Sequence, residues 1–281
     1  MECNNNTYKA VLDEGDLILH QAGIENARLD AWYLLEHVTG LTRSEFFFRG
    51  GDVMDASLCE TYKELIEKRA KHVPLQYITG HQEFMGLDFV VSPAVLIPRQ
   101  DTEILVEEVE KVCAGKRVLD MCTGSGCIAI SLKKRGQVTH AAAADISLKA
   151  LAVAKENAAR NKADISFIHS DMFTHIEEKY DIIVSNPPYI ETEVIKGLMP
   201  EVKDFEPLGA LDGDEDGLKF YRILAKESKD YLTENGMLFL EIGCEQAKDV
   251  SELLVENGFE NIRVVKDYAG LDRVVAAQLK S

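Results

Sequence analysis

The sequence predicts an α/β fold: a mostly parallel, seven-stranded sheet covered by helices on both faces, preceded by a small all-helical N-terminal domain. Three observations predict it. The first eighty or so residues carry apolar positions at helical spacing and no strand-like run. From Asp101 onward short apolar runs alternate with amphipathic stretches. The last two runs, near Ile262–Val265 and Arg273–Gln278, follow one another with no helix between them. Alternating strands and helices imply right-handed crossovers and parallel pairing, whereas two consecutive strands without a crossover imply that one is antiparallel.

The chain is 281 residues long, which suits one large domain or two modest ones. In the helical part, Tyr8–Gly23 places Val11, Leu12, Leu17, Ile18 and Leu19 on a helix that Gly23 can cap. Asn26–Gly40 repeats the pattern with Ala31, Trp32, Leu34, Leu35 and Val38, and Ala56–Lys71 does so with Leu58, Leu65 and Ile66. Short helices this close in sequence pack as an antiparallel bundle. Phe84–Val91 then reads as a hairpin turning at Gly86, bracketed downstream by Pro93 and Pro98, and marks the domain junction. The expected division is therefore a helical domain over 1–80, to which the family resemblance described below gives the substrate-docking role, a hairpin linker over 81–97 and an α/β domain over 98–281.

In that α/β domain, Asp101–Cys113 is a helix with a carboxylate-rich first turn, which suits the positive end of its dipole. Arg117–Met121 is a short buried strand, followed by a Gly-rich turn and a helix over Ser125–Arg135. A second strand covers His140–Ala144 and stops at Asp145; Ser147 can then cap a helix reaching about Asn161. Ile165–His169 and Asp181–Ser185 are the third and fourth strands, Gly217–Leu232 a helix, Met237–Ile242 the fifth strand and Glu245–Asn257 the last helix. No internal repeat or low-complexity tract interrupts the series.

Composition narrows the function classes. With 46% hydrophobic and 28% charged residues the chain is ordinary globular material. Its formal net charge of −17 disfavours gripping a long phosphate backbone, which relies on clustered Lys and Arg. No basic segment followed by an apolar run opens the chain, and no stretch approaches the ~18 apolar residues a membrane span needs, so neither a secretory signal nor a membrane partner is expected. The six cysteines, Cys3, Cys59, Cys113, Cys122, Cys127 and Cys244, form no Cys-x-x-Cys pair. Reduced thiols in the cytoplasm are the expected state. The seven histidines are scattered, and the acidic loop Asp212–Gly217 lacks the terminal Glu of a calcium loop, so no metal is expected.

Two motifs carry chemistry. The first runs Asp120-Met121-Cys122-Thr123-Gly124-Ser125-Gly126-Cys127-Ile128-Ala129. After a strand, small residues let the backbone bend sharply and approach a ligand, and the following helix offers its N-terminal amides. Asp145 ends the next strand, 19 residues beyond Gly126, where an acid commonly holds a ribose diol. Gly124-x-Gly126-x-x-Ala129 also satisfies the dinucleotide fingerprint, but Asp120, four residues before Gly124, would repel a phosphate and suits a cationic or amino-acid end instead. The second motif is Ser185-Asn186-Pro187-Pro188-Tyr189-Ile190, directly after the fourth strand and so at the carboxyl edge where open sheets bind ligands. Two prolines remove two donors, leaving loop carbonyls free to accept; Asn186 adds a side-chain acceptor and Tyr189 a flat apolar face. That set suits a planar substrate bearing an NH2 group.

Asn-Pro-Pro-Tyr downstream of an Asp-x-x-x-Gly-x-Gly turn resembles the amino-methyltransferases that use S-adenosylmethionine, which act on the exocyclic nitrogen of adenine or the side-chain amide of glutamine. Ile97-Pro98-Arg99-Gln100-Asp101-Thr102-Glu103, together with Phe205–Gly213 and Asp216-Gly217-Leu218, is similar to the peptide chain release factor glutamine methyltransferases, as are the helical N-terminal domain and the length. The resemblance covers essentially the whole chain. One departure is Cys122, where the family's turn usually starts with Gly. The resemblance implies a Rossmann-like methyltransferase sheet, S-adenosylmethionine as methyl donor and S-adenosylhomocysteine as product. It implies class I peptide chain release factors as protein partners and methylation of N5 of the glutamine in their Gly-Gly-Gln tripeptide. Catalysis would then rest on Asn186 and the Pro187 carbonyl, with Pro188 and Tyr189 also against the substrate. The cofactor would be held by Asp120, Cys122, Thr123, Gly124, Ser125, Gly126, Asp145, Asp171, Met172 and Asn186. An adenine N6-methyltransferase acting on nucleic acid shares Asn-Pro-Pro-Tyr. A nicotinamide dehydrogenase would use the Gly124 turn but leave Asn186–Tyr189 unexplained. A non-catalytic module docking a partner through its bundle is the third alternative. Asp101 and Thr102 also read as plain helix caps, and Glu241-Ile242-Gly243 as a sheet-edge turn.

Overall fold

A computed structural model describes residues 7–280, so Cys3 lies outside the described residues. The chain separates into two compact units: residues up to Gly80 with Pro200–Phe205, and His81–Met199 with the chain from Glu206 onward.

The first unit contains α1 (Tyr8–Gln21), α2 (Ala27–Thr39), α3 (Arg43–Arg49), α4 (Ala56–Ala70) and α5 (Leu75–Thr79). Thr7 caps α1 by accepting from the Ala10 amide at 3.2 Å, and Gly40 ends α2 in the left-handed conformation. Val11, Leu12 and Leu19 of α1, Ala31, Leu34 and Leu35 of α2, and Tyr62 and Ile66 of α4 form its buried core. The Tyr62 hydroxyl, sealed inside, donates to the Ala31 carbonyl at 3.1 Å. Arg69 Nε pairs with Asp30 at 2.8 Å and its Nη1 with Glu201 at 3.0 Å, which holds the segment around residue 200 in this unit. The pattern-based reading finds neither α3 nor α5. No residue of α3 is buried, so it presents no apolar stripe; a capping box between Thr42 and Glu45 starts it instead. α5 spans only five residues between Pro74 and Gly80.

The second unit opens with β1 (His81–Phe84) and β2 (Leu87–Val90), an antiparallel hairpin whose turn residues Met85 and Gly86 both have positive φ, 53° and 76°. That is the turn whose twist matches a hairpin. The hairpin is a correction to the expected linker: Phe84, Met85 and Phe89 are buried in the core of this unit, so it is an integral part of the α/β body. Next come α6 (Gln100–Glu110), β3 (Arg117–Met121), α7 (Cys127–Arg135), β4 (His140–Asp145), α8 (Leu148–Arg160), β5 (Ser166–His169), β6 (Tyr180–Ser185) and α9 (Thr192–Ile195). After α10 (Pro200–Lys203) follow α11 (Lys219–Tyr231), β7 (Leu232–Glu241), α12 (Ala247–Glu256), β8 (Phe259–Lys266) and β9 (Asp272–Leu279). The sheet order is β5-β4-β3-β6-β7-β9-β8, parallel except for β9, which runs antiparallel to both neighbours. Leu119, Met121 and Ile183 face one buried layer while Val118, Ile182 and Val184 face the other, so both sides of the sheet are dry. The chain runs outward from β3 through β4 and β5, then returns to β6 on the other side of β3. This reversal opens a crevice at the carboxyl ends of β3 and β6, where open sheets hold ligands.

Candidate active site

Both motifs emerge at that crevice. At the end of β3, Cys122 has φ 62°, Gly124 φ 53° and Gly126 φ 81°. The two glycines have different work. A Cβ built on Gly124 meets nothing within 4 Å, whereas one on Gly126 would stand 3.0 Å from Ile130 and 3.1 Å from Ala154, so Gly126 allows α7 and α8 to close. Cys122 occupies the left-handed region that glycines enter freely and other residues adopt rarely. Burial and the nearby Asp145 push its thiol up, so it stays protonated. Cys122→Val is expected to cost about 1 kcal/mol in stability, because a β-branched side chain fits this backbone worst, while Cys122→Gly is expected to leave S-adenosylmethionine affinity within about threefold. Thermal unfolding and titration calorimetry check both; a valine variant as stable as its parent contradicts the strained geometry.

Asp120 is fully buried at 0% exposure and does not reach the crevice. Its Oδ2 accepts from the Thr123 hydroxyl at 2.6 Å and from the Ala129 amide at 3.1 Å, so it braces the turn from behind. Burial raises its carboxyl to about 7. Asp145, at the end of β4, does face the crevice: its Oδ2 accepts from the Gly124 amide at 2.9 Å and its Oδ1 from the Ser147 amide at 2.8 Å. Asn157 of α8, which no sequence motif marks, is fully buried and donates to the carbonyls of Val90 at 3.0 Å and Ser125 at 2.9 Å, pinning the hairpin to the turn.

At the end of β6, Asn186 Nδ2 donates to Thr102 Oγ1 at 3.2 Å. The segment 208–217, whose second part, Asp212–Gly217, reads in sequence as an acidic loop, clamps the next residues. Ile190 donates to the Leu211 carbonyl at 3.0 Å and Gly213 donates back to the Ile190 carbonyl at 2.8 Å. A Cβ at Gly213 would lie 2.8 Å from the Tyr189 Cα, and one at Gly217 would collide with the Tyr189 carbonyl oxygen. Glycine is therefore required where the two loops touch. Arg99, just before α6, pairs with the buried Glu206 at 2.6 Å, which joins the two family-like strings into one rim.

The crevice is a cavity of ≈ 670 Å³, within the range of small-ligand sites. Cys122, Thr123, Gly124, Ser125, Asp145, Asp171, Met172, Asn186 and Pro188 line it, with Pro98, Ile146, Phe220 and Ile223 among its apolar walls. Asp120, Gly126, Pro187 and Tyr189 do not line it. Pro187 is buried, and no described hydrogen bond ends on its carbonyl oxygen. The Tyr189 ring lies beside Gly243, its Cδ2 3.6 Å from where a Cβ would stand, and the ring expected against a substrate is not part of the cavity lining. The two basic side chains of the lining are already engaged, Arg99 by Glu206 and Lys219 by Asp214 at 2.9 Å. Asp145 and Asp171 are its unpaired-sign contribution. An open glycine turn, two carboxylates and apolar walls fit a nucleoside carrying a cationic group and do not fit a pyrophosphate.

One buried acid reads in sequence only as part of a sheet-edge turn. Glu241, the last residue of β7, is 2% exposed, and burial pushes its carboxyl up to about 7 against the opposing pull of Thr102, Arg273 and Asn186. Among the described residues no cluster of three or more His, Cys, Asp or Glu side chains could hold a metal ion, and no helix is long and apolar enough to cross a membrane.

The chain is similar to known proteins over most of its length. A model of the PrmC N-terminal domain matches residues 10–80, and a model of the methyltransferase small domain matches residues 99–199. A release factor glutamine methyltransferase of Geobacter sulfurreducens is 41% identical over 277 residues, covering 97% of each chain. The chain belongs to the release factor glutamine methyltransferase family. Another member, from Thermodesulfovibrio yellowstonii, is 42% identical over 89% of this chain and 91% of its own. A methyltransferase structure from Pyrococcus furiosus shares the fold at TM-score 0.55 and 18% identity, over 70% of this chain and 90% of that one. This family member is an S-adenosylmethionine-dependent methyltransferase, as the sequence resemblance implies.

Proposed function

We propose that this methyltransferase modifies N5 of the glutamine in the Gly-Gly-Gln tripeptide of class I peptide chain release factors. The observation that carries the reading is Asn186: its Nδ2 is committed to Thr102, which leaves Oδ1 as the acceptor at the cavity, beside a Pro187 carbonyl that no described donor occupies.

An amide nitrogen is a poor nucleophile because its lone pair is delocalised into the carbonyl. Asn186 Oδ1 accepts one amide hydrogen, turns the lone pair toward the donor and favours a more tetrahedral nitrogen; the Pro187 carbonyl, behind the cavity lining, is the acceptor assigned to the second hydrogen. This is positioning plus electrostatic stabilisation, with no covalent enzyme intermediate. S-adenosylmethionine, when bound, supplies an electrophilic methyl group on its sulfonium. Asp145 is the acceptor available to its ribose hydroxyls, and Asp171 and Met172 form the wall assigned to its adenine. Residues 1–80 are assigned to release-factor docking; Phe47 and Phe48, 83% and 82% exposed on α3, give that unit an apolar surface.

Parallel incubation with tritium-labelled S-adenosylmethionine and release factor, DNA or RNA tests the reading. Label in release factor alone is the expected outcome. Label in either nucleic acid and none in release factor overturns it.

A further inference from the structure

Three backbone segments beside the Asn186 loop meet at one side chain that the transfer chemistry above does not use. Gln246 stands at the N-cap of α12, yet its side chain makes no cap bond to its own helix. It reaches back to other segments instead. Its Oε1 accepts from the Gly243 amide at 2.9 Å, and its Nε2 donates to the Tyr189 carbonyl at 3.0 Å and to the Gly217 carbonyl at 3.3 Å. Two glycines make room for it: a Cβ on Gly217 would stand 2.7 Å from Nε2, and one on Gly243 would stand 3.0 Å from Oε1. A backbone amide only donates and a backbone carbonyl only accepts, so these three partners allow the Gln246 amide a single orientation.

The loop has need of such an anchor. Pro187 and Pro188 carry no N–H, so neither can be tied down by donating a backbone bond, and the turn must be held at its flanks. Before the prolines, the Ser185 hydroxyl donates to the Met121 carbonyl at 2.7 Å and Asn186 Nδ2 to Thr102 Oγ1 at 3.2 Å. After them, the Ile190 amide donates to the Leu211 carbonyl at 3.0 Å and the Gly213 amide to the Ile190 carbonyl at 2.8 Å. Gln246 holds Tyr189, the first residue past the prolines, and through Gly217 ties it to the same clamping segment. We propose that Gln246 is a positioning residue that fixes the far end of the two-proline turn, and through it the directions of the Asn186 side chain and the Pro187 carbonyl. This rests on the reading of that loop given above. Gln246 does not line the cavity, and the turn 122–126 and Asp145 belong to the ends of β3 and β4, so its loss is felt in transfer rather than in cofactor binding.

Two variants separate the donor end from the acceptor end. Gln246→Glu keeps an acceptor for Gly243 and sets an oxygen against the Tyr189 and Gly217 carbonyls; Gln246→Leu removes all three bonds at similar bulk. Expected for both is a fall in kcat of roughly 10-fold or more, with KM for release factor and affinity for S-adenosylmethionine within about threefold. Backbone amide hydrogen exchange, measured without substrate, is the second readout. The Ile190 and Gly213 amides should exchange faster in both variants, whereas the Gly243 amide should stay protected in Gln246→Glu and lose protection in Gln246→Leu. Parental kcat in Gln246→Leu, or parental exchange at Ile190 and Gly213 in Gln246→Glu, overturns the proposal. So does solvent-rate exchange of the Gly243 amide in the parent, a measurement that stands even if neither variant folds. The expected exchange in every arm, together with a parent that leaves release factor unmethylated, instead overturns the glutamine reading and keeps the anchor.

Discussion

Asn186→Ala is expected to slow methyl transfer by on the order of 10²-fold or more, the scale of removing one preorganised polar group from a transition state. Release-factor affinity should change far less, since one glutamine side chain is a small part of any docking surface. The asymmetry follows from the site: Asn186 stands at the cavity on a stiff two-proline turn, anchored by Thr102 at 3.2 Å, and contributes a single acceptor. Asn186→Asp is the sharper variant. A carboxylate also accepts and stabilises positive charge developing on nitrogen, so partial activity is expected to survive, whereas alanine loses nearly all. Single-turnover rates at saturating release factor and cofactor decide between them. Transfer at the parental rate in the alanine variant makes Asn186 a structural turn residue.

Asp145→Ala is expected to weaken S-adenosylmethionine binding by roughly 10- to 150-fold, because a hydrogen bond to a charged acceptor is worth about 1.5–3 kcal/mol. The same carboxylate also receives the Gly124 and Ser147 amides, at 2.9 and 2.8 Å, so alanine removes a brace as well as a ligand contact. Asp145→Asn separates the two: it retains one acceptor oxygen and most of the local shape, and is expected to fall between parent and alanine. Calorimetry showing parental affinity in both variants removes Asp145 from the site.

Most strands of the sheet were legible as short apolar runs, and Arg117–Met121 is found with the expected limits, whereas β7 starts at Leu232 rather than Met237 because its first half, Leu232–Gly236, is largely polar. Ser147 caps α8 as its position suggests, accepting from the Ala150 amide at 3.2 Å. The two site loops were legible for the same reason: their residue types restrict the backbone. Side-chain direction was not. Asp120 is the penultimate residue of β3 and Asp145 the last of β4, yet one turns into the core to hold Thr123 and Ala129 while the other faces the cavity. Thr102 looks like an ordinary cap residue, but Arg99 occupies the cap position of α6 and Thr102 sits within the first turn, against Asn186. Asn157, Glu206 and Glu241 are polar residues whose burial comes from tertiary packing, so no local pattern announces them. The departure at Cys122 is resolved by its φ of 62°: the thiol residue takes the backbone conformation that a glycine would adopt.

The most direct measurement is peptide mass spectrometry on a class I release factor after incubation with the enzyme and S-adenosylmethionine, with fragmentation locating the added group. A single methyl on the side chain of the Gly-Gly-Gln glutamine, absent when Asn186→Ala replaces the enzyme, is the expected result. A methyl on any other residue, or on the same glutamine at undiminished yield and rate with Asn186→Ala, would contradict the assignment of this cavity and its Asn186 loop to glutamine N5 transfer.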